Sequence, residues 1–262
     1  MKLTDQLGRI INFEKPFSRI ISLVPSQTEL LVDLGLEKQI LGLTKFCVHP
    51  PQLRKQKLVV GGTKEVNFDK IKELRPDIIL CNKEENTKEM VEELSKEFTV
   101  HVSDVESLQD NYELIEHYGI LFNREVQSNE INIEIQKQAA DFQKFVSDKP
   151  LLKVVYFIWR KPWMVVGGNT FVNHLLEFNK FENAYSNLER YPEIHPTKLI
   201  NADFYLLSSE PFPFAEKHKK ELQDFAKSGE FVFVDGEFFS WYGSRLIKAF
   251  GYFRKLRERL SL

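Results

Sequence analysis

The chain has 262 residues, room for one large or two small domains. Hydrophobic residues make up 42% and charged residues 28%, an ordinary globular balance that excludes a disordered chain. Lysine and arginine number 36 against 38 aspartate and glutamate, a net charge of −2 that excludes a broad phosphate-binding footprint and with it nucleic acid as the main partner.

The first twenty residues carry charges at Lys2, Asp5, Arg9, Glu14, Lys15 and Arg19, and lack the apolar run of about 7–15 residues that a secretory leader needs. No run approaches the ~18 apolar residues of a membrane span, so membrane insertion is not expected and the chain as written reads as cytoplasmic. Ser18 to Val24 is a short β-branched run cut off by Pro25. A helix follows, with Leu30, Leu31 and Leu34 on its apolar side, Ser26 and Glu29 at capping-box spacing, and Gly35 as its stop. The next strand is Gln39 to Leu43, then a loop over Thr44 to Pro51. Asn67 to Leu74 is helical by spacing, because Phe68, Ile71 and Leu74 fall on one face. Pro76 closes it, and Asp77 to Cys81 is a strand of the fully buried kind. A helix from about Thr87 to Glu97 and a strand Phe98 to Val102 complete a β/α series, the pattern of a parallel sheet covered on both faces.

From about Glu125 to Ser147 there is neither proline nor glycine, and Ile131, Ile135, Phe142 and Val146 recur at helical spacing. A helix of that length runs about 35 Å, enough to cross a domain boundary. A second β/α series follows, with strands at Leu152 to Trp159, Trp163 to Val166, Phe204 to Ser208 and Phe231 to Asp235, and helices at Asn169 to Phe178 and Ser244 to Leu260. The organisation is an N-terminal lobe over residues 1–122, a connecting helix over 123–148 and a C-terminal lobe over 149–262.

Ligands of open α/β sheets bind outside the carboxyl ends of the strands, so the residues after each strand are the first candidates. In the first lobe these include Ser26-Gln27, Phe46-Cys47 with His49, Gly62-Thr63-Lys64, Asn82-Lys83-Glu84 and Ser103-Asp104. In the second they are Trp159-Arg160 with Trp163, Gly168-Asn169, Glu210-Pro211-Phe212 and Asp235-Gly236 leading to Trp241-Tyr242. All three tryptophans fall at these positions, where a ligand wall competes with core packing as the reason for them. Glycine-rich dinucleotide and phosphate loops are missing, as are HExxH and GxSxG. Cys47 and His49 are too few to close a metal site. No CxxC pair exists; free Cys47 and Cys81 thiols are favoured over one disulfide, which the spacing leaves open.

The segments SRIISLVPSQTELLVDLGL, ILGLTKFCVHPP, VVGGTKEVNFDKIKELRPDIILC, VVGGNTFVNHLLEFNKFENAY and DGEFFSWYGSRLIKAF occur in this order over nearly the whole chain. Together they resemble the cobalamin and iron-siderophore binding proteins of ABC importers. The resemblance implies two Rossmann-like α/β lobes joined by a single long helix, with a ligand cleft between them and no catalysis. It implies a cobalamin-like or ferric-chelate ligand (siderophore or haem) carrying cobalt or iron, no cofactor of the protein's own, a monomer, and an ABC permease as partner. By position, Phe46, Trp159, Trp163 and Trp241 match the cleft aromatics and Arg160 an anionic rim; Asn82, Glu84 and Tyr242, from the strand ends named above, are further ligand-binding candidates. Asp69 matches one permease-docking acid; on the second lobe His195 stands where the other is expected, with Glu193 two residues away. Two alternatives stay open: a cytosolic corrinoid or metal-chelate carrier or sensor that docks no permease, and an enzyme using the cleft through Cys47, His49 or Glu84.

Overall fold

The computed structural model describes residues 1–260. In the first part of the chain a hairpin, β1 (Lys2–Thr4) and β2 (Ile10–Asn12), precedes β3 (Ile20–Ser22), α1 (Pro25–Asp33), β4 (Ile40–Thr44), α2 (Leu53–Gln56), β5 (Leu58–Gly61), α3 (Phe68–Leu74), β6 (Ile78–Asn82), α4 (Lys88–Ser95), β7 (Val100–Ser103), α5 (Leu108–Phe122) and α6 (Glu125–Val146). The rest comprises β8 (Leu152–Trp159), β9 (Met164–Val165), α7 (Phe171–Phe178), β10 (Phe181–Asn183), β11 (Phe204–Ser208), α8 (Glu216–Gln223), β12 (Glu230–Val234), α9 (Gly236–Ser240) and α10 (Leu246–Leu260). The chain divides into two units. The first holds Met1–Ile135 together with Tyr242–Arg245; the second holds Gln136–Trp241 and the chain from Leu246 onward.

The first unit contains a five-stranded parallel sheet in the order β5-β4-β3-β6-β7. β6 is buried along its whole length, as its apolar composition requires. Ile21, Leu23, Val60, Ile71, Ile79, Cys81 and Val102 build one core layer, with Met90 and Leu94 of α4 laid on it. Chain order runs outward from β3 in both directions, so the topological switch point lies at β3 and its neighbours β4 and β6.

The second unit has the parallel order β10-β8-β11-β12, and the short β9 adds an antiparallel fifth strand against the end of β8. Its switch point is at β8 and β11, whose inner side chains Val155, Phe157, Tyr205 and Leu207 anchor the core. The fold class is the α/β architecture expected, with the antiparallel β9 as a departure from a purely parallel sheet. α6 is one helix of 22 residues, and the division between the units falls within it. Its buried positions Ser128, Asn132, Ile135, Ala139, Phe142 and Val146 alternate in spacing by four and three, a stripe along one side. Among the described residues no helix is long and apolar enough to cross a membrane.

Helix ends follow local chemistry. Asn67, Thr87, Ser107 and Thr170 each accept a backbone N–H three residues on, capping α3, α4, α5 and α7. Gly35 takes φ +75° after α1, and the Leu36→Leu31 and Gly35→Val32 backbone bonds form the paired closure that a left-handed residue permits. The start of α1 differs from the expected capping box. Pro25 occupies the first turn after Val24, no side chain caps it, and Ser26 lies inside the helix. Glu29, the expected partner of Ser26, pairs instead with Arg245 at 2.8 Å.

Candidate functional site

At the switch point of the second unit the strand ends deliver aromatic rings. β8 runs out at Trp159, and the antiparallel return through β9 brings Trp163 back beside Phe157, with ring centroids 5.8 Å apart. From the end of β11 come Phe212 and Phe214. Trp159 meets Phe212 edge-on at 5.7 Å, Phe212 meets Phe214 at 4.8 Å, and Trp163 lies parallel to Phe214 at 6.0 Å and 11°. Trp159 keeps 39% of its surface exposed. A chain of rings ending in an exposed indole offers flat apolar area with little side-chain entropy to lose.

Polar groups fix the edge of this wall. Arg160 donates from Nε and Nη2 to the two carboxylate oxygens of Glu221 at 2.7 and 2.8 Å, while its guanidinium sits 5.7 Å above Trp163. These hydrogen bonds hold the Glu221 carboxyl below its ordinary pKa. The fork of Arg160 is thus engaged within the protein. His218, packed on Phe212 at 5.0 Å, accepts the Ala215 N–H at Nδ1 over 3.0 Å. Burial, then Lys217 and Arg160, push its pKa down, so it is a neutral imidazole with its proton on Nε2. Trp241 is only 5% exposed and donates from Nε1 to both oxygens of Glu210, at 3.0 and 3.1 Å. That places it as a wedge under the β11 end. Gly236 makes the close approach possible, because a Cβ there would overlap Ser208 Oγ and the Glu210 backbone.

The first unit ends its central strands differently. Gln27 of α1 accepts the Tyr118 hydroxyl at 2.6 Å and donates to Ser103 Oγ at 2.6 Å and to the Tyr242 hydroxyl at 3.0 Å. Tyr242 is buried, its hydroxyl is turned inward, and burial pushes its pKa up. Asn82 is buried too; its Oδ1 accepts the N–H groups of Glu84 and Glu85 at 2.9 and 3.1 Å, and its amide donates to Ser103. Asn86 returns a bond to Asn82 N and reaches Thr63 O, so the 82–86 turn is fixed on both sides. Glu84 is half-buried, and its carbonyl accepts from Lys64 Nζ. Phe46 is 49% exposed on the loop after β4, with Lys45 Nζ 5.1 Å above its ring.

Cys47 is not on a surface loop. It is fully buried between the hydroxyls of Thr28 and Thr44, 3.1 and 3.2 Å from its sulfur. Burial pushes its pKa up and that of Cys81 to about 12, so both are free, neutral thiols rather than nucleophiles. His49 is half-buried nearby. Asp69, in the first turn of α3, and Glu193 are exposed carboxylates. His195 is exposed as well, its Nδ1 2.8 Å from the Thr197 hydroxyl. Among the described residues no three His, Cys, Asp or Glu side chains converge as metal ligands.

The structure therefore joins Trp159, Arg160 and Trp163 in one cluster and shows Trp241, Tyr242 and Asn82 serving as buried supports. Sequence reasoning missed Phe214 and His218 beside that cluster. The EKHKKELQ segment shows only His218 and Leu222 inward, too few for an apolar period to betray the helix that carries the histidine.

A family model described as periplasmic binding protein matches residues 20–224. The chain is 25% identical over 219 residues to the ABC transporter substrate-binding lipoprotein YvrC of Bacillus subtilis, covering 77% of this chain and 68% of that protein. It is 27% identical over 195 residues to a vitamin B12-binding protein of Vibrio cholerae, covering 69% of this chain and 66% of the relative. The chain thus spans about two thirds of the length of each. Among solved structures it resembles a periplasmic haem-binding protein from Pseudomonas aeruginosa with a TM-score of 0.81, at 17% identity and 94% coverage of both chains. At that identity the likeness concerns the fold.

Proposed function

Because this chain belongs to the periplasmic binding protein family, we propose that it is the substrate-binding component of an ABC importer and that its ligand is a flat metal chelate, a corrinoid or a haem. It binds and does not catalyse. The observation that carries the ligand reading is the ring cluster of Trp159, Phe212, Phe214 and Trp163 at the switch point of the second sheet. Planar macrocycles have large apolar faces, and stacked or edge-on aromatic walls match them in shape and polarisability. Relatives named for vitamin B12 and a fold shared with a haem-binding protein support the same class. The metal is cargo that arrives inside the ligand.

Asp69 and Glu193 are the exposed carboxylates proposed to meet arginines of the permease, where charge-assisted pairs of this kind are strong. A lipoprotein and a periplasmic protein among the likenesses support action outside the cytoplasm, in place of the cytoplasmic location expected from the charged N-terminal segment. Native mass spectrometry of the protein purified from its own host tests the ligand class. A co-purifying corrinoid or haem mass is the expected result. A stoichiometric ligand without a macrocycle would overturn the reading.

A further inference from the structure

Glu221 stands on α8, a helix of eight residues that turns His218 and Leu222 inward. His218 seats the helix on the ring cluster, packing against Phe212 and Phe214 at 5.0 and 5.8 Å. Arg160 comes from the end of β8, one residue past Trp159, with its guanidinium over Trp163. Both partners of the Arg160–Glu221 pair are thus held by the second unit's own aromatic wall. The pair closes side-on: Nε and Nη2 donate to the two oxygens of one carboxylate, at 2.7 and 2.8 Å. That is the geometry with which an arginine takes the carboxylate of a ligand. Both side chains keep part of their surface in solvent, beside the exposed Trp159. A pair so exposed adds little to stability, so stability gives a weak reason for two matched, anchored partners at the rim of a ligand wall.

We infer that Glu221 is a built-in competitor for Arg160: it fills the fork that a carboxylate-bearing ligand needs, and so tunes the wall to flat chelates with a neutral amide fringe. The inference rests on the macrocycle reading and uses residues of the second unit alone. A haem propionate must displace a carboxylate already tethered beside the guanidinium, where its effective concentration is high. If Glu221 stays in place, the propionate instead meets like charge across one guanidinium. An amide-fringed corrinoid meets neither penalty. The remaining charges of this rim are cationic, since Lys161 acts on the Glu221 carboxyl and Lys217 on His218. Without Glu221 the rim would attract anions. The anionic partner expected for Arg160 is therefore supplied from within the chain, by a residue 61 positions away that no local pattern marks.

The test measures dissociation constants for cyanocobalamin and for haemin on the wild type, on Glu221→Gln, and on Glu221→Gln combined with Arg160→Met, at low and at high salt. Thermal melting with circular dichroism checks the fold of each sample. Cyanocobalamin is expected to bind the wild type more tightly, and Glu221→Gln to shift the ratio of the two constants toward haemin by about tenfold at low salt. The shift should shrink at high salt, because the released group acts through its charge. Adding Arg160→Met should abolish it, which identifies the fork as what Glu221 had withheld. A wild type that prefers haemin, a ratio unchanged by Glu221→Gln, or a shift that survives Arg160→Met would overturn the role of Glu221 and leave the macrocycle reading standing. Failure of both probes to bind the wild type would contradict that reading, and the inference would fall with it.

Discussion

The two sheets obey the same topological rule and end in opposite chemistry. At the switch point of the first, Gln27, Tyr118, Ser103, Asn82 and Tyr242 hold one another in a buried hydrogen-bonded lattice. At the switch point of the second, Trp159, Trp163, Phe212 and Phe214 stack and tilt against each other. The difference teaches how one α/β plan divides labour. A polar lattice fixes the positions of a few groups at the cost of strict satisfaction of every donor and acceptor. An aromatic cluster offers area and tolerates displacement, because its attraction is weakly directional.

Substitutions that strike each unit at its own weakness sharpen this contrast. Arg245→Met in the first unit leaves the Glu29 carboxylate in a nearly closed site without its 2.8 Å partner, a loss of about 3–5 kcal/mol of stability. Phe142→Ala in the second unit opens a cavity among Phe178, Phe250 and Phe253, at about 3–5 kcal/mol. The repairs should differ. Phe142→Leu is expected to recover part of the loss, while Glu29→Gln on the Arg245→Met background should recover more than that apolar repair by removing the stranded charge. Calorimetric unfolding reads both series, and equal recovery by the two kinds of repair would erase the distinction.

Acid should act on the first unit through His101. This imidazole is fully buried, and burial, helped by His117 3.5 Å away and by Arg9, lowers its pKa to about 3. The unfolded chain takes up the proton near pH 6.5, the folded one only near pH 3, so the unfolded state binds more protons between those values. Stability is then lost as pH falls through that window, by up to about 1.4 kcal/mol per pH unit. Urea titrations at pH 7, 6 and 5 should show the slope, and His101→Gln should flatten it; an unchanged slope in the variant would place the acid sensitivity elsewhere. A smaller effect is expected at Thr170, whose hydroxyl caps α7 with a 3.1 Å bond to Asn173 N. Thr170→Ala should reduce the melting free energy by about 1 kcal/mol and leave ligand affinity unchanged.

How far the sequence reached depended on which periodicity the packing left visible. β8 and β11 have the spans that their largely apolar runs mark, and α6 ends one residue short of the predicted limit. α5 has a helical stripe, with Leu108, Leu114, Ile115, Tyr118, Leu121 and Phe122 buried and Gln109, Glu113 and Glu116 exposed, but a polar residue inside, Asn111, and an apolar one outside, Ile120, blur it in the sequence. The capping box at Ser26 and Glu29 misled because a partner 216 residues away claimed the glutamate. Long-range pairing of that kind leaves no local signature. The tryptophans show the same limit at the site. Position after a strand marked all three, but only tertiary contacts separate exposed Trp159 from Trp241, whose indole is spent on Glu210.

The central claim, that the second unit's aromatic cluster holds a flat chelate, is tested most directly by titrating tryptophan fluorescence with cyanocobalamin and with haemin in the wild type and in Trp159→Ala. The account predicts saturable quenching by one of the two in the wild type and an affinity lower by about 1–3 kcal/mol in the variant, with an unchanged melting temperature because the ring is 39% exposed. Equal affinity in both proteins, or a variant that unfolds with no binding defect of its own, would contradict it.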